Sequence, residues 1–248
     1  MSLLDKIIPF SIRAKLQNKR DKLLVDNIIA NYPVHAIQCL EQGANPNAIG
    51  WEGIPVLLMA TSKKQIEVVR ELIKRGAKIN AKASFAEKRI NQISALIDAS
   101  ANGCIEIVQM LIDGGADINI TDGNEVCPLI YASILGHIEI VRLLIANGAN
   151  VKQQDSEGSN ALMMAAKGNH PEIVQLLIDY NSHVNFVDKN FCTPIFYAVQ
   201  HGHNEVVKVL LANGADKNQK GLNGVTPMEV ARHNGHLDTL ELLEQYEK

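Results

Sequence analysis

Along residues 138–146 the apolar positions Ile140, Val141, Leu143, Leu144 and Ile145 follow the three-and-four spacing of one helical face, and Gly148 stands just beyond them. A shorter apolar run over residues 129–135 precedes this stripe, begins after Cys127-Pro128 and stops at Gly136. The pattern predicts two short helices joined by a tight turn. Proline suits the first helical position, where no amide donor is needed, and glycine past the end supplies the left-handed conformation that closes a helix. Thr193-Pro194 and Thr226-Pro227 occupy the place of Cys127-Pro128, so threonine is expected to cap those helices through its hydroxyl. Residues 149–155 then read as an extended turn into the next unit.

The unit recurs. Gly-Ala pairs begin at Gly43, Gly76, Gly115, Gly148 and Gly214, with Asn181 in the same phase, and the steps are 33, 39, 33, 33 and 33 residues. Asparagine tolerates positive φ best after glycine, which is why it can stand at 181. Glu67, Glu106, Glu139, Glu172, Glu205 and Asp238 hold one phase, His137, His170, His203 and His236 a second, and Ala60, Ala99, Ala132, Ala165, Ala198 and Ala231 a third. A pair of short helices cannot bury its apolar face alone, so neighbouring units must stack, with the alanines where helices approach closely. The fold class expected is an all-α solenoid of stacked helix-turn-helix units linked by hairpin-like turns. A leader helix is expected over residues 1–22 and one repeat domain over 23–248. Its units fall at about 23–49, a degenerate cap, then 50–82, 83–121, 122–154, 155–187, 188–220 and 221–248, a C-terminal cap. The 39-residue step places a six-residue insertion at residues 83–88, which puts Phe85 either on a displayed finger or on a tolerated surface loop.

Composition narrows the chemistry. The 248 residues are 46% hydrophobic and 21% charged with a formal net charge of −3, which fills a substantial core and argues against a general nucleic-acid binder. Cys39, Cys104, Cys127 and Cys192 lack CxxC spacing, so neither a zinc site nor a disulfide framework is expected, and a reducing compartment fits. Pro9 and Ser11 break the first apolar run, no later stretch is long enough to span a membrane, and the default expectation is a cytoplasmic protein. The basic segment with Arg13, Lys15, Lys19, Arg20 and Lys22 reads either as a solvated leader or as a surface for a membrane or partner.

The quoted markers resemble those of the ankyrin-repeat family, whose pattern runs T-P-L-H-x-A-A, then G-H-x-E-I-V-x-L-L, then G-A-D-x-N. The resemblance spans roughly residues 17–248. Departures stand out: Phe196, Glu229 and Met163 replace the histidine of T-P-L-H, and Ala161 and Ala95 replace its proline. In that family the exposed row of the first helix and the turn tips resemble a concave surface that binds partners. The row reads Met59, Ser62, Lys63; Asp98, Ala101, Asn102; Tyr131, Ile134, Leu135; Met164, Lys167, Gly168; and Tyr197, Gln200, His201, with Trp51, Ile54, Ile90, Ile93 and Val126 at turn positions.

What the resemblance implies is a non-catalytic module binding a protein partner, with Trp51, Ile54, Phe85, Tyr131, Ile134 and Leu135 as the apolar contact and Lys63 and Asp98 as polar orienters. Ile134 and Leu135 are the sharpest candidates, because their positions are usually polar in the family. Tyr131 and Tyr197 read equally as packing or as contact, and Asp98 as a partner for a basic residue or for a neighbouring turn. Phe191 stands where a turn glycine is usual, so either the turn differs or the ring is displayed. No cofactor and no metal is expected, and a monomer is the default. An effector of a bacterium, secreted into a host cell, is the alternative within binding. An enzyme with its site in the insertion or leader is the alternative of another class, but no P-loop, HExxH, GxSxG or dinucleotide fingerprint occurs. The histidines repeat with the units, which marks them as structural, and His201 with His203 read as residues two apart on a helix, unable to share a ligand. Asn80, Asn119, Asn185 and Asn218, each eight residues after a leucine, resemble sites of asparaginyl hydroxylation in some members of that family.

Overall fold

Fourteen α-helices make up the regular structure that the computed structural model describes, which comprises residues 10–50, 53–83, 92–221 and 224–246, with side chains in the first helix from residue 17 onward. Among the described residues there is no strand, only three isolated antiparallel bridges, Ile49 with Pro55, Lys82 with Ser94 and Gln154 with Asn160. The chain divides into two compact units, Met1–Asp117 and Ile118–Lys248. The first holds α1 (Phe10–Ile29), α2 (Pro33–Glu41), α3 (Val56–Ser62), α4 (Ile66–Lys74), α5 (Ala95–Ala101) and α6 (Ile105–Asp113). The second holds α7 (Pro128–Ile134), α8 (Ile138–Ala146), α9 (Ala161–Lys167), α10 (Pro171–Asp179), α11 (Pro194–Gln200), α12 (Asn204–Ala212), α13 (Pro227–Asn234) and α14 (Leu237–Gln245). The architecture is an all-α repeat solenoid of helix pairs. α1 runs continuously through residue 22 and packs on α2.

Each helix pair follows from local chemistry. The recurrent acid sits in the first turn of the second helix, as Glu67, Glu106, Glu139, Glu172, Glu205 and Asp238, where it meets the positive end of the helix dipole. The Gly-Ala glycines close those helices at φ of 84° to 89°, and Asn181 does so at 64°. Capping by threonine holds only in part. Thr226 forms a full capping box with Glu229, whereas Cys127 and Thr193 make no side-chain cap bond, and the buried Thr193 hydroxyl has no partner. All six phase-matched alanines are wholly buried, as close approach of first helices requires.

Two ladders of side-chain hydrogen bonds tie successive helix pairs within each unit. In the first ladder an asparagine Oδ1 accepts the amide of a residue one repeat on: Asn47 from Lys78, Asn80 from Asp117, Asn119 from Asn150 and Asn185 from Asp216. The Asn47 and Asn185 Nδ2 groups also donate to the carbonyls of Gly76 and Gly214. In the second, the ring Nε2 of His170, His203 and His236 donates to the carbonyls of Ile134, Lys167 and Gln200 at 3.0, 3.1 and 3.2 Å. Gln65 stands at the histidine position in the first unit and replaces it chemically, its Nε2 donating to the Ile28 carbonyl at 3.0 Å.

Lys152 interrupts the asparagine ladder, because an ammonium group donates and cannot accept the amide presented to it. By the register of the other rungs, an asparagine there would accept from the His183 amide and donate to the Asn181 carbonyl. Lys152→Asn is expected to stabilise the protein by about 1 kcal/mol, one net hydrogen-bonded rung. Denaturant unfolding checks it; an unchanged or lowered midpoint would show that the rung does not form.

Candidate functional site

The turns ahead of α7, α9 and α11 are built on a carboxylate. Asp122 Oδ1 accepts from the amides of Asn124 and Val126, Asp155 Oδ1 from Glu157 and Ser159, and Asp188 Oδ1 from Asn190 and Cys192. Neighbouring turns are then stitched together, the Ser156 amide donating to Asn124 and the Lys189 amide to Glu157. The fourth residue of each turn needs positive φ. Gly158 and Gly224 adopt it freely, but Glu125 does so at 62° and Phe191 at 58°. The turn at Phe191 is therefore of the same kind as its neighbours, and its ring is displayed, 61% exposed.

Behind these turns lie the two tyrosines. Tyr131 donates to Asp122 Oδ2 at 2.8 Å and Tyr197 to Asp188 Oδ2 at 2.6 Å, so both half-buried rings serve their own turn while presenting one edge. Burial first and the neighbouring carboxylate second push the Tyr131 hydroxyl up to about 12 and raise that of Tyr197 further. Lys167 Nζ rests 5.7 Å from the centre of the Tyr197 ring, within cation–π range.

The residues singled out in the sequence fall in different places. In the first unit Ile54 is half-buried and its carbonyl accepts the Gly50 amide at 2.8 Å, while Lys63 is exposed at the end of α3. Asp98 is half-buried on α5; burial raises its carboxyl above the usual range against the lowering effect of Ser62, Asn102 and Lys64, and its Oδ2 makes no hydrogen bond. Trp51, Phe85 and Ile90 lie outside the described residues. In the second unit Tyr131, Ile134 and Leu135 come together on the last turn of α7, with Ile134 half-buried and Leu135 49% exposed.

One reading of the histidines is corrected. His201 and His203 are not on a helix: His201 ends α11, His203 begins α12, and Gly202 between them turns the chain at φ 70°. The two rings therefore stack, with centres 5.5 Å apart and planes 21° from parallel. Burial lowers the His201 pKa, and the nearby charges of His203, Lys167 and His236 lower it further. This cluster of His201, His203, Lys167 and His236 was invisible to spacing rules because it draws on four helix ends. Among the described residues no three His, Cys, Asp or Glu side chains are arranged to hold a metal ion. The four cysteines are buried free thiols, and burial pushes that of Cys127 up, away from the thiolate a nucleophile needs. No helix among the described residues is long and apolar enough to cross a membrane.

Two outcomes follow from this geometry. Phe191→Gly is expected to raise the unfolding free energy by roughly 1 kcal/mol, since glycine meets the positive φ without a Cβ clash; a lower Tm would show that the ring packs instead of being displayed. Tyr131 has its folded-state pKa above the ordinary value of 10, so its stabilising contribution is complete below pH 10 and is lost as pH rises through about 12. Tyr131→Phe is expected to lose less stability over that interval than the parent, measured by unfolding across an alkaline series.

Comparison with known proteins adds one finding. A family model described as ankyrin repeats in three copies matches residues 24–122, 57–155, 96–188, 129–221 and 183–248. No curated protein matches the chain.

Proposed function

The chain belongs to the ankyrin-repeat family, whose repeats are generally protein–protein interaction modules, and from that premise we propose that it is a non-catalytic module binding a partner protein. The contact is assigned to the first-helix rows and turn tips. Its apolar part is Trp51, Ile54 and Phe85 together with Tyr131, Ile134 and Leu135, and Lys63 and Asp98 orient the partner by charge. Phe191 joins this set on the strength of its exposure. The observation that carries the reading is the end of α7, where Leu135 is 49% exposed beside the half-buried Ile134. Folding leaves that apolar surface in water, and association would remove it.

Physically, the ladders and stitched turns hold the surface in place before the partner arrives. Little ordering entropy is then lost on binding, and a modest apolar contact is enough for measurable affinity. The half-buried tyrosines fit such a surface, since a ring already anchored by its hydroxyl loses few rotamers on contact. The free thiols fit a reducing compartment, and the module is proposed to act as a cytoplasmic monomer.

The test is affinity capture from a lysate of the native cells with the wild-type chain beside an Ile134→Asp, Leu135→Asp variant that keeps its helical circular dichroism. The expected result is a protein retained by the wild type and lost, by tenfold or more in yield, with the variant. Equal retention by two folded proteins would remove the end of α7 from the site.

A further inference from the structure

The corner between α1 and α2, in the first unit, departs from the repeat at three neighbouring positions. Each later second helix carries an acid in its first turn, but α2 carries none, because Val34 stands there and is 63% exposed. Tyr32, 57% exposed, takes the place just ahead of the helix that Gln65, Cys104 or a histidine holds in the other repeats. Ile29 ends α1 with an exposed side chain, where Ser62, Lys167 and Gln200 end three later first helices. The core is built from other residues: α1 buries Leu24, Val25 and Ile28, and α2 buries Ala36, Cys39 and Leu40. Folding therefore gains nothing from an apolar corner. The Tyr32 ring is nonetheless held, edge-on to His35 with ring centres 5.9 Å apart.

Gln65 ties this corner to the next one. Its Nε2 donates to the Ile28 carbonyl at 3.0 Å and to Asn31 Oδ1 at 2.8 Å, so the turn that follows Lys63 lies against the turn that follows Ile29. Lys64 Nζ donates to the Asn102 carbonyl at 3.1 Å, whereas Lys63 is exposed and has no partner among the described residues. Glu67 is paired with Arg70 at 3.2 Å. An acid at position 34 would repel a carboxylate brought to the corner; valine removes that repulsion and adds apolar surface.

We propose that the corner of Ile29, Tyr32 and Val34 receives a bulky apolar side chain from a linear segment of the partner protein, and that Lys63 meets an acidic side chain of the same segment. The inference rests on the protein-binding reading above and names the chemistry of one contact. Packed helices lie about 8–10 Å apart, so an extended segment passes from one corner to the next in about three residues. An anionic membrane fits less well. Asp26, Glu41 and Glu67 are exposed on the helices that frame the corner, and the basic run of Lys19, Arg20 and Lys22 ends about 10 Å before Ile29 along α1.

The experiment uses the full chain, immobilised, to select from a random displayed-peptide library, followed by affinities of the winners at about 50 mM and about 500 mM salt. Winners are expected to carry Asp or Glu within about three residues of a bulky apolar side chain, and to bind about fivefold more weakly at the higher salt. Val34→Glu and Tyr32→Ser are each expected to weaken binding about tenfold. Neither change threatens the fold, because an acid in the first turn meets the helix dipole and serine is a good N-cap, and helical circular dichroism checks both. Lys63→Gln is expected to cost about fivefold and to remove most of the salt dependence. Winners lost with the corner variants but kept by the Ile134→Asp, Leu135→Asp variant would support the corner separately from the end of α7. Winners that lack an acid, or that ignore both Val34→Glu and Tyr32→Ser, would overturn this inference; if they are lost with Ile134→Asp, Leu135→Asp, the end of α7 still stands as the binding surface. An empty selection also overturns it. So does sedimentation of the chain with phosphatidylserine–phosphatidylcholine vesicles, or a dimer of the parent chain, that Val34→Glu abolishes, since the corner would then belong to a lipid surface or to a second copy.

Discussion

A helix of seven residues leaves most of its backbone carbonyls without an intrahelical partner, and the first helices of this protein, α3, α5, α7, α9 and α11, are all that short. Carbonyls at such ends must find a donor in water or in a side chain. The donor comes from the next repeat: His170 serves the end of α7, His203 that of α9 and His236 that of α11. Because the donor sits one repeat later in the chain, these three bonds form only between stacked helix pairs. Stacking is thus favoured by the backbone as well as by the apolar faces.

That constraint has a by-product at the surface. Fixing each first-helix end against the next unit brings Ile134 O against Gly168 and holds the His201 and His203 rings in a stack. Side chains at those ends are no longer needed for the core, so they are free to be Leu135 in one repeat, absent in the next and imidazole in the third. Turn carboxylates act likewise at the other end of the helix. Asp122 and Asp188 each hold a turn with one oxygen and a tyrosine with the other, which positions the rings without burying them. Strain is tolerated where the turn is so firmly determined, and Phe191 stays at positive φ although glycine occupies that place at Gly53, Gly158 and Gly224.

Much of this was legible before any coordinates. The phase of glycine, alanine, histidine and acid located the helix pairs, since each marker answers a local backbone need: left-handed closure, close approach, carbonyl capping and the helix dipole. The bounds of α8 follow directly from its stripe and its glycine. Gln65 was harder to see, because it does the work of histidine with a different functional group at the same position. Thr193 misled in the opposite sense, its identity promising a cap that its geometry does not make. Tyr131 and Tyr197 could not be settled either, as the carboxylates that receive their hydroxyls lie nine residues earlier across a turn.

What the sequence determined by itself is the repeat, its period and the residue types that each repeat needs, because those are set by interactions within one unit or between equivalent positions of neighbours. Only the tertiary structure decided which departures from the repeat meet. His201 and His203 looked like residues facing apart on a helix until Gly202 was seen to turn the chain between them, and the need for glycine at 168 showed only against the Ile134 carbonyl of the preceding repeat. Such encounters depend on backbone direction and on distances of a few ångströms across repeats, and a linear pattern of residue types does not carry them.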